Sequence, residues 1–175
     1  GSGDGVPAAL AGQSGAAAVT FPHLLAVAGV EHSGAAGVLA AMKTFPGLGA
    51  YGWAVICALT AQNTRAVTGI EGVSTDFIRL QIDTLFDDVR IDSAKLGMLG
   101  TAAIARTVAD ALGPLLASGQ LPALVVDPVM VSKGGDVLLP ADAIRMLTEA
   151  VLPLATVITP NLPEAALLLD QSAPD

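Results

Sequence analysis

Hydrophobic positions in this chain come in short runs separated by turns or by stretches of helical period. The run Leu124-Val125-Val126, stopped by Asp127-Pro128, is rich in β-branched residues and predicts a strand buried on both faces. His23–Ala28, Ala54–Ala61, Ala94–Met98 and Ala155–Thr159 predict four more strands. Between them the period changes to that of helices. A small-residue loop from Val30 to Gly37 opens a helix to about Phe45. Ile78, Ile82, Leu85 and Val89 mark a helix over Thr75–Val89. Ile104, Val108, Leu112 and Leu115 mark another over Thr101–Leu116, with Gly113-Pro114 arguing for an early end. Ala141–Val151 and Ala165–Leu169 complete the set. Strand alternating with helix predicts an α/β domain with a parallel sheet and right-handed crossovers.

Composition agrees and removes whole classes of function. Of 175 residues, 53% are hydrophobic and 14% charged, yet no uninterrupted run reaches the roughly 20 apolar residues needed to span a membrane. A net charge of −8 argues against a nucleic-acid surface, which needs a basic stripe. The lone Cys57 allows no disulfide within the chain. These features place the chain in the cytoplasm or an organelle interior. Residues 1–20 are mostly Gly, Ala and Ser and predict a flexible tail, leaving 21–175 as the folded unit.

Open parallel sheets bind ligands at the carboxyl ends of their strands. Asp127 stands at such an end, ahead of Lys133, Gly134 and Gly135, which suggests a cation or phosphate site. Lys95 at the next strand has two readings: a phosphate contact or a partner for Asp92. The loop around Ser33-Gly34 either admits an anionic ligand to a helix N-terminus or is a tight turn capped by Ser33; spacing alone favours the turn. Gln62 and Asn63 can meet a planar ligand edge or close a turn. Asn161 and Glu164 form a capping-box pattern, or hold hydrated Mg²⁺ through oxygen ligands in the company of Asp127. Cys57 reads as core, His23 and His32 as packing or surface, and Asp83, Asp87 and Asp88 as a solvated face. There is no phosphate loop, dinucleotide fingerprint, zinc cluster or nucleophile elbow. The residues alone describe an α/β domain with a polar edge for a small ligand.

Several blocks resemble one family. Ala28-Gly29, Ser33-Gly34, Ala36-Gly37 and Lys43-Thr44-Phe45 look like the first motif of the hydroxymethylpyrimidine/phosphomethylpyrimidine kinases of thiamine biosynthesis. Leu48–Gly52, Ala58–Thr64, Lys95–Leu99, Asp127–Met130 and Thr159–Ala165 follow in that family's order and spacing. The likeness covers Leu24 to Leu169. It implies a three-layer ribokinase-like fold and phosphoryl transfer from ATP with Mg²⁺. The acceptors implied are 4-amino-5-hydroxymethyl-2-methylpyrimidine and its monophosphate, and the assembly implied is a homodimer. By the same resemblance Gln62 would bond the pyrimidine edge, with Ala28 and Val129 lining the pocket. Asp127 and the Asn161/Glu164 pair would position Mg²⁺ and the triphosphate, Asp127 and Glu164 as metal ligands.

Two departures stand out. The family carries Asp-Pro where this chain has Glu31-His32, and Gln and Asp where it has Leu39 and Ala41. That Asp contacts the pyrimidine in the family, and loss of one buried hydrogen bond costs about 1–3 kcal/mol. The family also continues past the position of Asp175 for roughly a hundred residues by resemblance. That part carries a Gly-Thr-Gly-Cys anion hole at a helix N-terminus, the group that neutralises the transition state. The expectation is therefore the substrate-binding part of a kinase, its C-terminal part missing and its catalytic residues beyond Asp175. Such a chain would be inactive alone. The competing expectations are a truncated non-catalytic binding relative and a pyridoxal-type kinase.

Overall fold

The computed structural model describes residues 20–130 and 139–170. Most of the predicted tail, the Ser132–Asp136 stretch with Lys133, and residues 171–175 lie outside the described residues. One sheet runs through the molecule, built from β1 (His23–Val30), β2 (Tyr51–Gln62), β3 (Val67–Gly72), β4 (Ser93–Leu96), β5 (Leu124–Val126) and β6 (Val157–Ile158). Its spatial order is β3-β2-β1-β4-β5-β6; β3 pairs antiparallel with β2, and every other pairing is parallel. The helices are α1 (Gly37–Gly47), α2 (Thr75–Asp88), α3 (Ala102–Ala117), α4 (Ala141–Met146) and α5 (Leu162–Leu168).

The order of strands dictates the layers. The chain moves from β1 outward to β2, then returns past β1 to β4, so right-handed crossovers put α1 on one face and α2, α3 and α4 on the other. On the second face, Leu25, Val27, Val55, Leu96 and Val126 join Ile78, Ile82, Ile104, Val108 and Leu112 in the main hydrophobic cluster. That alternation along β1, β2 and β4 is the buried half of a period-2 pattern. On the first face, Gly52 admits α1: a Cβ there would lie 3.0 Å from Met42 and Phe45. Beyond α1 the same face, at Lys95 and Val125, is only partly covered, and Val157 is 50% exposed.

Four elements differ from the sequence pattern. β3 was not anticipated, because all six of its residues are exposed and two are Gly, so no buried period marks it. α3 runs through Pro114 to Ala117. A proline costs the helix its own N–H bond and crowds the carbonyl four back, but burial of Leu112 and the packing of Leu115 and Leu116 on the core outweigh that here. The expected helix Ala141–Val151 is α-helical only to Met146 and widens into a π-turn over Leu147–Val151, then tightens at Leu152–Leu154 around Pro153. α5 starts earlier than expected, at Leu162, because its cap is Asn161.

Candidate functional site

Val27, Leu96, Val126 and Ile158 stand in one register row across β1, β4, β5 and β6. The next step along each strand forms the carboxyl rim: Ala28, Gly97, Asp127 and Thr159. Backbone bonds of 3.0 Å from Gly97 to Val27, from Asp127 to Leu96 and from Thr159 to Val126 hold that row in place. Strand order reverses about β1, with the loops after β1 and β4 leaving to opposite faces, the switch point at which open parallel sheets offer a ligand crevice. Gly29 and Gly97 keep its floor low. A Cβ on Gly97 would sit 3.1 Å from that of Ala28 and 3.6 Å from Lys95 Nζ.

Lys95 lies two residues before Gly97, on the same face of the strand, and its Nζ donates to Asp127 Oδ2 at 3.1 Å. Pairing with Asp92, one of the two sequence readings, does not occur. Asp92 sits just before β4, at the amino end of the sheet, where it accepts from His23 N at 2.8 Å and pairs with Arg90 at 3.2 Å. The Lys95 and Asp127 side chains are 36% and 31% exposed, so the pair faces solvent at the rim. Asp127 and Val129 line a hollow of about 10 Å³ with Gly97, Gly100, Thr101 and Leu139. That is room for about one water.

Glu164 is 3% exposed. Its Oε2 accepts from Asn161 N at 3.0 Å, while Asn161 Oδ1 accepts from Glu164 N at 2.8 Å, completing the predicted capping box. Its Oε1 accepts from Met130 N at 3.3 Å, so the cap also ties the exit of β6 to the chain leaving β5. A carboxylate oxygen has more than one lone pair, and these bonds leave acceptor capacity for a water or a cation. Among the described residues no cluster of three or more His, Cys, Asp or Glu side chains is placed to hold a metal.

The β1–α1 loop is organised by Glu31, a residue that sequence reasoning noted only as a departure from a motif. Oε1 accepts from Ser33 N at 3.0 Å and from Gln62 Nε2 at 3.1 Å; Oε2 accepts from Ser33 Oγ at 2.7 Å and Ala35 N at 3.0 Å. The Ser33 hydroxyl first, then the Ser33 amide, hold this carboxyl down at about 2. Ser33 therefore does not cap α1, whose cap position is Ala36 with no side-chain bond. The Ser33 hydroxyl donates to Glu31 at 2.7 Å while its oxygen accepts from Ala35 N at 3.2 Å, so its bonds are made within the loop, ahead of the helix. Lys43 Nζ closes the loop from α1 by donating to Ser33 O at 2.9 Å. The signal available in sequence was an acid at a strand end followed by small residues whose amides lack acceptors.

Asn63 takes the turn reading, its Oδ1 accepting from Arg65 N at 2.8 Å and Ala66 N at 3.1 Å. Cys57 is core: it is 0% exposed, and burial pushes its thiol up to about 12. His23 packs by accepting from Trp53 Nε1 at 3.2 Å, and His32 is exposed.

The candidate residues thus share one sheet edge but form two groups. Ala28, Asp127 and Val129 lie along the rim, with Asn161 and Glu164 joined to it through Met130. Gln62 lies across β1, three residues past Leu59, the partner of Val30. β2 and β5 are three strand spacings apart, about 14 Å. The hollow at Asp127 does not include Gln62, Ala28 or Glu164. A ligand touching both groups would lie across the β1–β4 crevice, with an N–H and carbonyl edge at one end and opposite charges at the other.

The family model described as "Phosphomethylpyrimidine kinase" matches residues 31–175. The chain is 48% identical over 148 residues to the hydroxymethylpyrimidine/phosphomethylpyrimidine kinase of Escherichia coli (strain K12), a match covering 85% of this chain and 54% of that protein. It therefore spans about half the length of that relative. The crystal structure of a phosphomethylpyrimidine kinase from Clostridium difficile 630 superposes with a TM-score of 0.80 at 38% identity, covering 89% of this chain and 65% of that one. The ADP complex of Bacillus subtilis pyridoxal kinase gives a TM-score of 0.76 at 32% identity, covering 89% and 56%.

Proposed function

The chain belongs to the phosphomethylpyrimidine kinase family, with its ribokinase-like α/β fold, and from that premise we propose that its rim is the substrate side of an ATP-dependent kinase. The acceptors in this reading are 4-amino-5-hydroxymethyl-2-methylpyrimidine and its monophosphate, in thiamine biosynthesis. The observation that carries it is the Lys95–Asp127 pair, set on the rim one strand from Ala28 and beside the side-chain-free Gly97.

Each residue has a role in this reading. Gln62 meets the pyrimidine edge, and Ala28 and Val129 line the ring. Asp127, with its partly exposed carboxylate, and Glu164, with acceptor capacity left beside its backbone bonds, are the residues that would hold Mg²⁺. Asn161 and Glu164 orient the triphosphate. When bound, Mg²⁺ neutralises charge on the phosphates, the main requirement of a transfer that rests on positioning. Lys95 is paired with Asp127, and the same Nζ is within reach of the crevice to take a phosphate oxygen. The partner is a small molecule, a second copy completes a homodimer, and the location is the cytoplasm or an organelle interior. No helix of the described residues is long and apolar enough to cross a membrane.

Pyridoxal is the second reading. Ala41 has no polar side chain to offer a pyrimidine, and the likeness to pyridoxal kinases extends over most of the chain. Calorimetric titration of the chain with the pyrimidine alcohol and with pyridoxal, with and without Mg-ATP, separates the two. Saturable binding of the pyrimidine is expected, weakened about 10-fold or more by Gln62→Ala. Binding of pyridoxal alone, or of neither ring by a chain with native circular dichroism, overturns the reading.

A further inference from the structure

We propose that Glu31 is a positioning residue that fixes which end of the Gln62 amide faces the crevice, so that the site presents a hydrogen-bond acceptor and selects a planar heteroaromatic ring carrying an N–H donor. The proposal deepens the reading of Gln62 as the pyrimidine contact and rests on it. A glutamine can ordinarily present either its NH₂ or its carbonyl, since the two ends have nearly the same shape. Here one end is not free to choose. A carboxylate only accepts, so the group facing Glu31 Oε1 at 3.1 Å must be Nε2. Turning the amide over would set carbonyl oxygen against carboxylate oxygen and break that bond.

Glu31 cannot easily follow such a turn. Three loop donors hold it: Ser33 N, Ser33 Oγ and Ala35 N, at 3.0, 2.7 and 3.0 Å. The loop is itself braced by Lys43 on the Ser33 carbonyl at 2.9 Å. Held ionised down to about pH 2 by the Ser33 contacts, the carboxylate also stays without a proton to donate. Oε1 of Gln62 is then the end turned away from the loop. A ring nitrogen lone pair or an ether oxygen placed against it is repelled, whereas an exocyclic amino group is bonded.

The test compares 4-amino-5-hydroxymethyl-2-methylpyrimidine with its 4-methoxy analogue, which keeps ring and hydroxymethyl group but has no donor at that position. Both are titrated into the wild-type chain and into Glu31→Ala. Wild type is expected to favour the amino ring at least 10-fold, and Glu31→Ala to bring the ratio within about 3-fold by freeing Gln62 to turn over. A second readout needs no ligand. In a ¹⁵N-labelled chain one Gln62 side-chain amide proton should resonate downfield, and Glu31→Ala should return it to the free-amide position. An unchanged ratio in Glu31→Ala, no preference in wild type, or an amide signal indifferent to the substitution overturns the proposal. A downfield amide with neither ring bound supports the orientation of Gln62 and sinks the assignment of the rim to a pyrimidine.

Discussion

The carboxylate of Glu164 accepts the backbone amide of Met130 at 3.3 Å, across 34 positions of sequence. One buried side chain thereby serves as the return half of a helix cap and as a tie between the exits of β5 and β6. Asp127 lies three residues before Met130. The placement of the rim carboxylate therefore depends on how the next helix begins.

Replacing Glu164 by Ala should remove both bonds and leave the Met130 amide buried without its acceptor. The expected loss is about 1–3 kcal/mol in urea denaturation. Glu164→Gln keeps one accepting oxygen and should cost about half as much. An alanine variant within 0.5 kcal/mol of wild type would show that the cap does not hold the two strand ends together.

Features written in local pattern were legible: the buried stripe of α2, the short apolar runs of β1, β2 and β5, and the Asn161/Glu164 spacing. Features that depend on register were not. The Glu31–Gln62 bond joins residues 31 positions apart across parallel strands whose register shifts between Ala28 and Gly29, and no spacing in the chain announces it. β3 escaped because a ribbon exposed on both faces has no hydrophobic period. Of the two readings of Lys95, the pairing with Asp92 fails although Asp92 is nearer in sequence, because parallel pairing brings Asp127 alongside at the other end of the strand.

Gly37 should tolerate no side chain. Its φ is +60°, and a Cβ would fall 2.3 Å from the carbonyl oxygen of Gly29, a backbone atom that cannot swing aside. Gly37→Ala is expected to destabilise by about 2 kcal/mol or more. It should also disturb the β1–α1 loop, seen as shifted amide resonances at Glu31 and Ser33. A thermal midpoint equal to wild type would contradict the close approach.

Acid should loosen the Glu31 loop over a defined interval. The carboxyl sits at about 2 when folded against an ordinary value of 4.5, so the folded form binds its proton later than the unfolded one. Its contribution is present above about pH 4.5 and fades as pH falls toward 2. The stability difference between wild type and Glu31→Gln, followed by urea midpoints, should be largest above pH 4.5 and shrink below it. A difference that stays flat from pH 6 to 2.5 would mean that ionisation of Glu31 does not organise the loop.

The Lys95–Asp127 pair tests whether the rim is built for stability or for binding. A pair with side chains 36% and 31% exposed gains little from Coulomb attraction, because water screens it and both chains lose freedom. A double-mutant cycle of Lys95→Ala and Asp127→Ala should give a folding coupling below about 1 kcal/mol. A value of 3 kcal/mol or more would belong to a desolvated structural pair and would take Asp127 out of reach of a metal or phosphate. If the coupling is small while Asp127→Ala still abolishes the dependence of pyrimidine binding on Mg-ATP, then opposite charges stand at the end of the sheet because a charged ligand meets them there, since the fold gains almost nothing from their company.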